Sequence, residues 1–322
     1  MTTDSTPDPK LAGLRELIPA TGAGIYLATA ERGPLPAETA AAMRDADDWE
    51  LRVGRATEGR AEDMEQRVEE ARAVLAALLV ADPSEIVLCP GVDAAIDLAR
   101  HIAPADRLTV LSHVDPNTGA LMTAGGSNDG EQWIALDASL SAGAVPTDAN
   151  ALGVDFVIVA GDRWLLGPDE TAALWIGPRA RNLGLVAASS GIGRTAVLGL
   201  ARSVGWLEMY VVLDWAFDRT ASLAERLARG LAADGVEVVT PTNALAAIVC
   251  FRLTAWPVEE ALDEVRRRVF AIIEPTPDRT SIRASVAWFN TEEEIDRFAA
   301  AVREIAQHTP ESLPRRPPLI VR

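Results

Sequence analysis

Hydrophobic residues recur along this chain in two rhythms. From Asp63 to Leu79 the apolar positions Met64, Val68, Ala71, Leu75 and Leu78 return every three or four residues, the spacing that lays one apolar stripe along a helix. Short continuous apolar runs then take over: "EIVLC", "RLTVLSH", "WIALDA", "VDFVIVA" and "TAALWIG". Each is short, apolar and closed by polar turn residues, so each predicts a strand. The first run passes through "PGVDAAIDLARHI", a turn entering a helix. Strand, turn and helix in that order predict an open α/β sheet, mainly parallel and flanked by helices, whose ligands collect at the carboxyl ends of the strands.

Beyond the sheet, a helical pattern from about Thr195 to Gly230, with a break expected near Asp218, is long enough to bridge two domains. The remainder alternates differently: strand-like "VEVVTP" and "AAIVCFRLT", a helix from Pro257 to Phe270, strand-like "SIRASVAWF", and a helix opened by "NTEEEIDRF". In that last helix Thr291 and Glu294 have capping-box spacing, which satisfies free amides at a helix start. The expected organisation is a tail at 1–18, a large domain at 19–218, a smaller α+β domain at 219–310 and an extended Pro-rich end at 311–322. Within the large domain, "GIYLATAERGPLPAE" reads as a short strand followed by a Gly and Pro turn leading into the first helix.

Composition narrows the chemistry. A formal net charge of −17 over 322 residues repels phosphate backbones, so neither nucleic acid nor an anionic membrane is an expected partner. No apolar run reaches the length of a membrane span, and "MTTDSTPDPK" lacks the basic start and apolar middle of a secretory signal, so cytoplasmic residence is expected. Cys89 and Cys250 lie in apolar strand-like runs without neighbouring ligands, which argues for small buried hydrophobes and against a metal. Only one lysine occurs, Lys10, in the Pro- and Asp-rich start expected to form the tail. Arginine stays protonated and cannot supply the free amine that condenses with an aldehyde.

In order and over nearly the whole chain, these pieces resemble class V aminotransferases and cysteine desulfurases, the fold-type I branch of pyridoxal phosphate (PLP) enzymes. "IYLATAERGPLP" is similar to that family's "YLNTAxxGPLP", "EIVLCPGVDAAIDLA" to "EIVFTxGTTEAINLV", and "SHVDPNTGAL" to "SHVxxxTGxx". "VAGDRWLLGP" is similar to the segment "SGHKWLxGP" that carries the cofactor's lysine, and "SIRASVAWFNTEEEIDRF" to "xxRxSxxxYNTxEEIDRL". The resemblance implies a large PLP-transferase-like domain, a small C-terminal domain, and a homodimer or a heterodimer with an active paralogue.

Residue by residue, the resemblance places Asp137 against the pyridine nitrogen, with a turn-capping aspartate as the alternative. Arg283 is set to fork onto a substrate carboxylate or to make an interdomain ion pair, and Asn117 to lie near the cofactor face or merely to form a "DPNTG" turn. Trp164 either stacks on a planar ligand or packs in the core. Arg163 replaces the imine-forming lysine, Asp162 the preceding histidine, Leu140 a glutamine on the ring, and Ala160 a serine on the phosphate. Val92 and Asp93 replace the Thr-Thr pair of the phosphate cup, and Asp93 is expected to cap the helix amides and so occupy the anion's place. In "SSGIGRTA", Gly191 and Gly193 give a weak anion-nest signal, against a simple helix-leading turn.

The expectation is therefore a fold-type I protein without PLP imine chemistry, taking no cofactor, with non-covalent PLP or its aminated form PMP as the alternative. It would serve as a ligand-binding protein for a small carboxylate or as a non-catalytic partner subunit. A repurposed enzyme of transferase, C–S lyase or epimerase type, using Asp162, Arg163 and Asp137, is the competing reading.

Overall fold

The computed structural model describes residues 8–104, 107–123, 131–183, 189 and 191–314. The chain opens with helix α1 (Pro9–Glu16), strand β1 (Ile25–Tyr26) and helices α2 (Ala37–Val53) and α3 (Arg60–Leu79). The large sheet follows: β2 (Ile86–Cys89), α4 (Val92–Ile102), β3 (Leu108–Ser112), β4 (Trp133–Asp137), β5 (Phe156–Ala160) and β6 (Ala172–Ile176). A short α5 (Pro178–Arg181) and the long pair α6 (Arg194–Trp206) and α7 (Leu213–Leu231) lead out of it. The last part holds β7 (Val236–Val238), β8 (Ile248–Leu253), α8 (Val258–Val269), β9 (Ala271–Ile272), β10 (Glu274–Pro275), β11 (Ile282–Ser285) and α9 (Glu292–Ala306).

All five apolar runs read from the sequence are strands, ordered β2-β6-β5-β4-β3. β3, β4 and β5 pair in parallel, and β6 runs antiparallel to both β5 and β2, so four strands share one direction and β6 reverses. Alternate residues feed two cores. Leu88, Leu136, Val157, Val159 and Trp175 point to the face covered by α1, α3 and α6. Val87, Trp133, Ala135, Phe156, Ile158 and Leu174 point to the face covered by α4. Cover on both sides explains why β2, β4, β5 and β6 are apolar throughout but for Asp137 at the end of β4, whereas the edge strand β3 carries Thr109 and Ser112 and is largely exposed. Cys89 and Cys250 are free and buried, and burial pushes their thiols up to about 11 and about 12.

The smaller sheet, β10-β11-β8-β7, is antiparallel and packs beneath α7, α8 and α9 around Leu227, Phe251, Val265, Phe298 and Val302. Thr291 Oγ1 accepts the Glu294 N–H at 3.1 Å and the Glu294 carboxylate accepts the Thr291 N–H at 3.0 Å, the capping box read from the sequence.

Two sequence expectations are corrected here. Residues 8–18 are not a tail: Pro9 at the first turn and the Asp8 carboxylate on the Lys10 amide start α1, which buries Leu11 and Leu14 against the large core. Lys10 is thereby fixed, its Nζ donating to the Val211 carbonyl at 2.9 Å and lying 4.1 Å from the Trp215 ring centre. The helical bridge breaks at Val212 rather than near Asp218, through a π-turn over Leu207–Val211 that ends with Val212 at a φ of 68°. Of the Pro-rich end, 315–322 lies outside the described residues, as does Ser190 of "SSGIGRTA". Among the described residues no single helix is long and apolar enough to cross a membrane.

Candidate functional site

Four co-directed strands bring their carboxyl ends to one edge of the large sheet, where an open α/β sheet holds its ligands. There β2 turns through Pro90 and Gly91 into α4, β4 ends on Asp137, and β5 runs into Gly161, Asp162 and Arg163. Ala172, the first residue of β6, pairs with both Cys89 and Ala160 and ties the edge together. A loop from Ala28 to Pro34 crosses this edge. Its Gly33 N–H donates to the Asp162 carbonyl at 2.8 Å, and a Cβ on Gly33 would stand 2.0 Å from the Arg163 carbonyl oxygen. Only glycine permits that approach.

The loop also delivers two charges that spacing alone did not mark as site residues. Arg32 pairs with the buried Asp162, and Glu31 accepts from Arg283 at 2.8 Å. Arg283, on β11, has a side chain only 5% exposed, whereas that of Glu31 is 58% exposed. Asp162 and Arg283 thus join the crossing loop rather than each other. Their signal in the sequence was a charged pair, "ER", inside the apolar run "IYLATAERGPLP".

Arg163 differs from both. It is half-buried, its side chain makes no hydrogen bond or ion pair with any described residue, and its Nε is buried without a partner. Burial pushes its guanidinium below the ordinary arginine value; Asp137 and Glu31 counter this, and Arg283 and Arg32 add to it. An unpaired cation removed from water is costly unless an anion joins it.

The other candidates separate. The Asp137 Oδ1 accepts the Ser139 N–H at 2.9 Å, so the turn-capping role is present, and the residue still stands at the strand end beside Arg163. His113 lies next to it, its N–H on the Asp137 carbonyl and its Nδ1 2.8 Å from Ser141 Oγ; burial lowers its pKa. Asn117 belongs to the turn: its N–H donates to Asp115, and its Oδ1 accepts the Asp278 N–H at 3.1 Å. Leu140 packs on the large core. Trp164 is 3% exposed in that core, so the stacking reading gives way to packing.

Asp93 requires a further correction. The residue flanking α4 is Gly91, at a φ of 101°, with no side-chain cap; Asp93 lies inside the first turn and is exposed. The N–H groups of Val92, Asp93 and Ala94 have no partner among the described residues. The carboxylate expected to fill the anion's place does not accept them, so the backbone cup stands open at the positive end of α4. A cavity of about 540 Å³ opens beside it, between Pro90, Gly167–Glu170 and Gly191–Ala196.

No family model matches the sequence, and no curated protein matches it. Solved structures do. A lysine-to-alanine mutant of C-DES, with glycine covalently linked to its PLP cofactor, superposes with a TM-score of 0.76 at 18% identity, covering 92% of this chain and 99% of its own. The apo cysteine desulfurase of Thermococcus onnurineus NA1 gives 0.76 at 17%, covering 94% and 99%. The cysteine desulfurase CsdA of Escherichia coli gives 0.74 at 18%, covering 92% and 98%. The chain has the cysteine desulfurase fold.

That finding overturns the expectation of a protein taking no cofactor. The cysteine desulfurase fold points to PLP, and one solved member keeps PLP with its lysine changed to alanine. This chain's own residues fit the ring and phosphate. Asp137 offers a carboxylate at the strand end, and the Gly91 turn leaves three free amides at α4. What the sheet edge lacks is an amine: Arg163 follows β5 there, and Lys10 is held at Val211 and Trp215.

Proposed function

We propose that this protein binds the aminated cofactor PMP, without a bond to the chain, in the cleft of a cysteine desulfurase fold, and acts as a binding subunit rather than a lysine-driven enzyme. The unpaired, half-buried Arg163 supports this reading above all. When bound, such a cofactor supplies an electron-withdrawing ring. Asp137 would keep the ring nitrogen protonated, and the amides of Val92, Asp93 and Ala94 would receive the phosphate. Arg163 holds its proton at any working pH and so contributes charge but no proton transfer. Cytoplasmic residence and assembly with a second copy or an active paralogue belong to the same proposal.

The test is a pair of titrations followed by tryptophan fluorescence, one with PMP and one with PLP, then borohydride reduction and peptide mass mapping. Saturable binding of PMP with no pyridoxyl group fixed to Lys10 is the expected result. Turnover of an added amino acid with PLP would instead establish a repurposed enzyme, and a reduced adduct on Lys10 would show that the chain supplies an amine after all.

A further inference from the structure

On the side away from β2, the large sheet ends in a strand that is paired on one side only. β3 bonds to β4 in parallel, and two flanking bonds, the Trp133 N–H on the Arg107 carbonyl and the His113 N–H on the Asp137 carbonyl, set which residues face β4. Arg107, Thr109, Leu111 and His113 do. Leu108, Val110 and Ser112 therefore turn their N–H and C=O groups outward, where none has a partner among the described residues. An edge strand is ordinarily kept apart from other chains by a charge, a proline or a bulge. The run "LTVLS" from Leu108 to Ser112 has none of these, in a chain whose net charge is −17. Two large apolar side chains also lie open beside it: Leu111, 37% exposed, and Met122, 49% exposed, whose N–H donates to the His113 carbonyl at 2.8 Å.

We infer that the outer side of β3 pairs with β3 of a second copy, antiparallel about a two-fold axis at Val110, joining the two large sheets into one. The three outward-facing residues fix that register. Val110 exchanges both of its bonds with Val110 of the other copy, and Leu108 exchanges both with Ser112, so every outward group of the strand is satisfied. An axis at Thr109 would leave Ser112 without a strand partner, and an axis at Leu111 would leave Leu108 without one. Between the bonded pairs, Thr109 packs against Leu111 of the other copy and covers the exposed leucine. The charges agree with this direction: the exposed Arg107, before the start of one strand, is brought toward Asp115, beyond the end of the other. The surface runs along the flank of the sheet, whereas the cleft lies at the carboxyl ends of β2, β4 and β5.

The inference rests on the proposed assembly with a second copy and not on the cofactor, which the assay omits. Light scattering after size exclusion gives the mass of the full-length protein and of Val110→Pro, with circular dichroism checking the fold. This substitution removes an outward N–H and no bond to β4, and an edge strand accepts proline there. Val110→Pro should halve the wild-type mass. Thr109→Cys and Leu111→Cys supply a second measurement. Positions 109 and 111 oppose each other across the axis with Cα atoms about 4.5 Å apart, within disulfide reach, while the two copies of position 109 are roughly 7–8 Å apart. A mixture of the two variants should therefore crosslink on oxidation and neither should crosslink alone; Cys89 and Cys250 are buried and give no background. If Val110→Pro unfolds the chain, the cysteine mixture decides. Wild type of monomer mass overturns the inference together with self-assembly. An oligomer whose mass a folded Val110→Pro leaves unchanged, or a cysteine mixture that does not crosslink, overturns this surface and leaves assembly standing.

Discussion

Arg268 and Arg163 are both arginines withdrawn from water, one in the small domain and one at the edge of the large sheet, and their surroundings are opposite. The Arg268 side chain is 3% exposed; its Nε donates to Glu264 at 2.5 Å and its guanidinium to Glu304 at 2.7 Å. Arg163 has two carboxylates in its neighbourhood, Asp137 and Glu31, and touches neither. The small domain meets its charges with its own side chains, as Arg226 does with Asp296 and Glu292. The sheet edge leaves open a cation and the three amides of α4. Groups left unsatisfied on one edge mark where an outside molecule completes the structure.

The largest effect that tests this contrast is Arg268→Met. It leaves Glu264, buried on α8, without one of its two arginines, and urea denaturation should show a loss of about 3 kcal/mol. Next comes Gly33→Ala. The added Cβ meets the Arg163 carbonyl at 2.0 Å, and both partners are backbone, so neither can rotate away. Overpacking of this kind should cost about 2 kcal/mol and shift the crossing loop, seen as a lower urea midpoint together with weakened PMP binding. If Gly33→Ala instead matched wild type, the loop would not be seated as tightly as the geometry requires. Thr291→Ala removes half of the α9 capping box and should lower stability by about 1 kcal/mol with no change in any ligand titration, since α9 lies away from the sheet edge.

Much of this was legible beforehand. Four of the five large-sheet strands could be read because a sheet buried on both faces writes itself as uninterrupted apolar runs, the edge strand β3 by its short apolar run alone, and the α9 cap because Thr291 and Glu294 are local partners. α1 escaped because only Leu11 and Leu14 anchor it in a polar, Pro-bearing stretch. The Asp93 reading failed on a backbone detail: Gly91, free to adopt a φ of 101°, takes the flanking position and moves Asp93 into the helix, where its carboxylate no longer meets the first amides. At the site, an arginine at the carboxyl end of a strand could be read directly from "VAGDRW". The Glu31 and Arg283 pair could not, because its members lie 252 residues apart and no spacing rule reaches that far.

The smallest effect is also the one that separates the two regions most sharply. Arg163→Met keeps most of the apolar stem while removing a charge that has no partner, so the folded state no longer carries an uncompensated cation. Stability should rise, by about 0.5 kcal/mol, because Arg163 is only half-buried and water screens part of its cost. The same arginine-to-methionine change thus lowers the urea midpoint in the small domain and raises it at the sheet edge. The gain should be accompanied by weakened PMP binding, the pattern of a site that sacrifices stability for a ligand. A loss of stability in Arg163→Met as large as in Arg268→Met would mean that Arg163 is paired within the folded chain, and the sheet edge would then be as closed as the small domain.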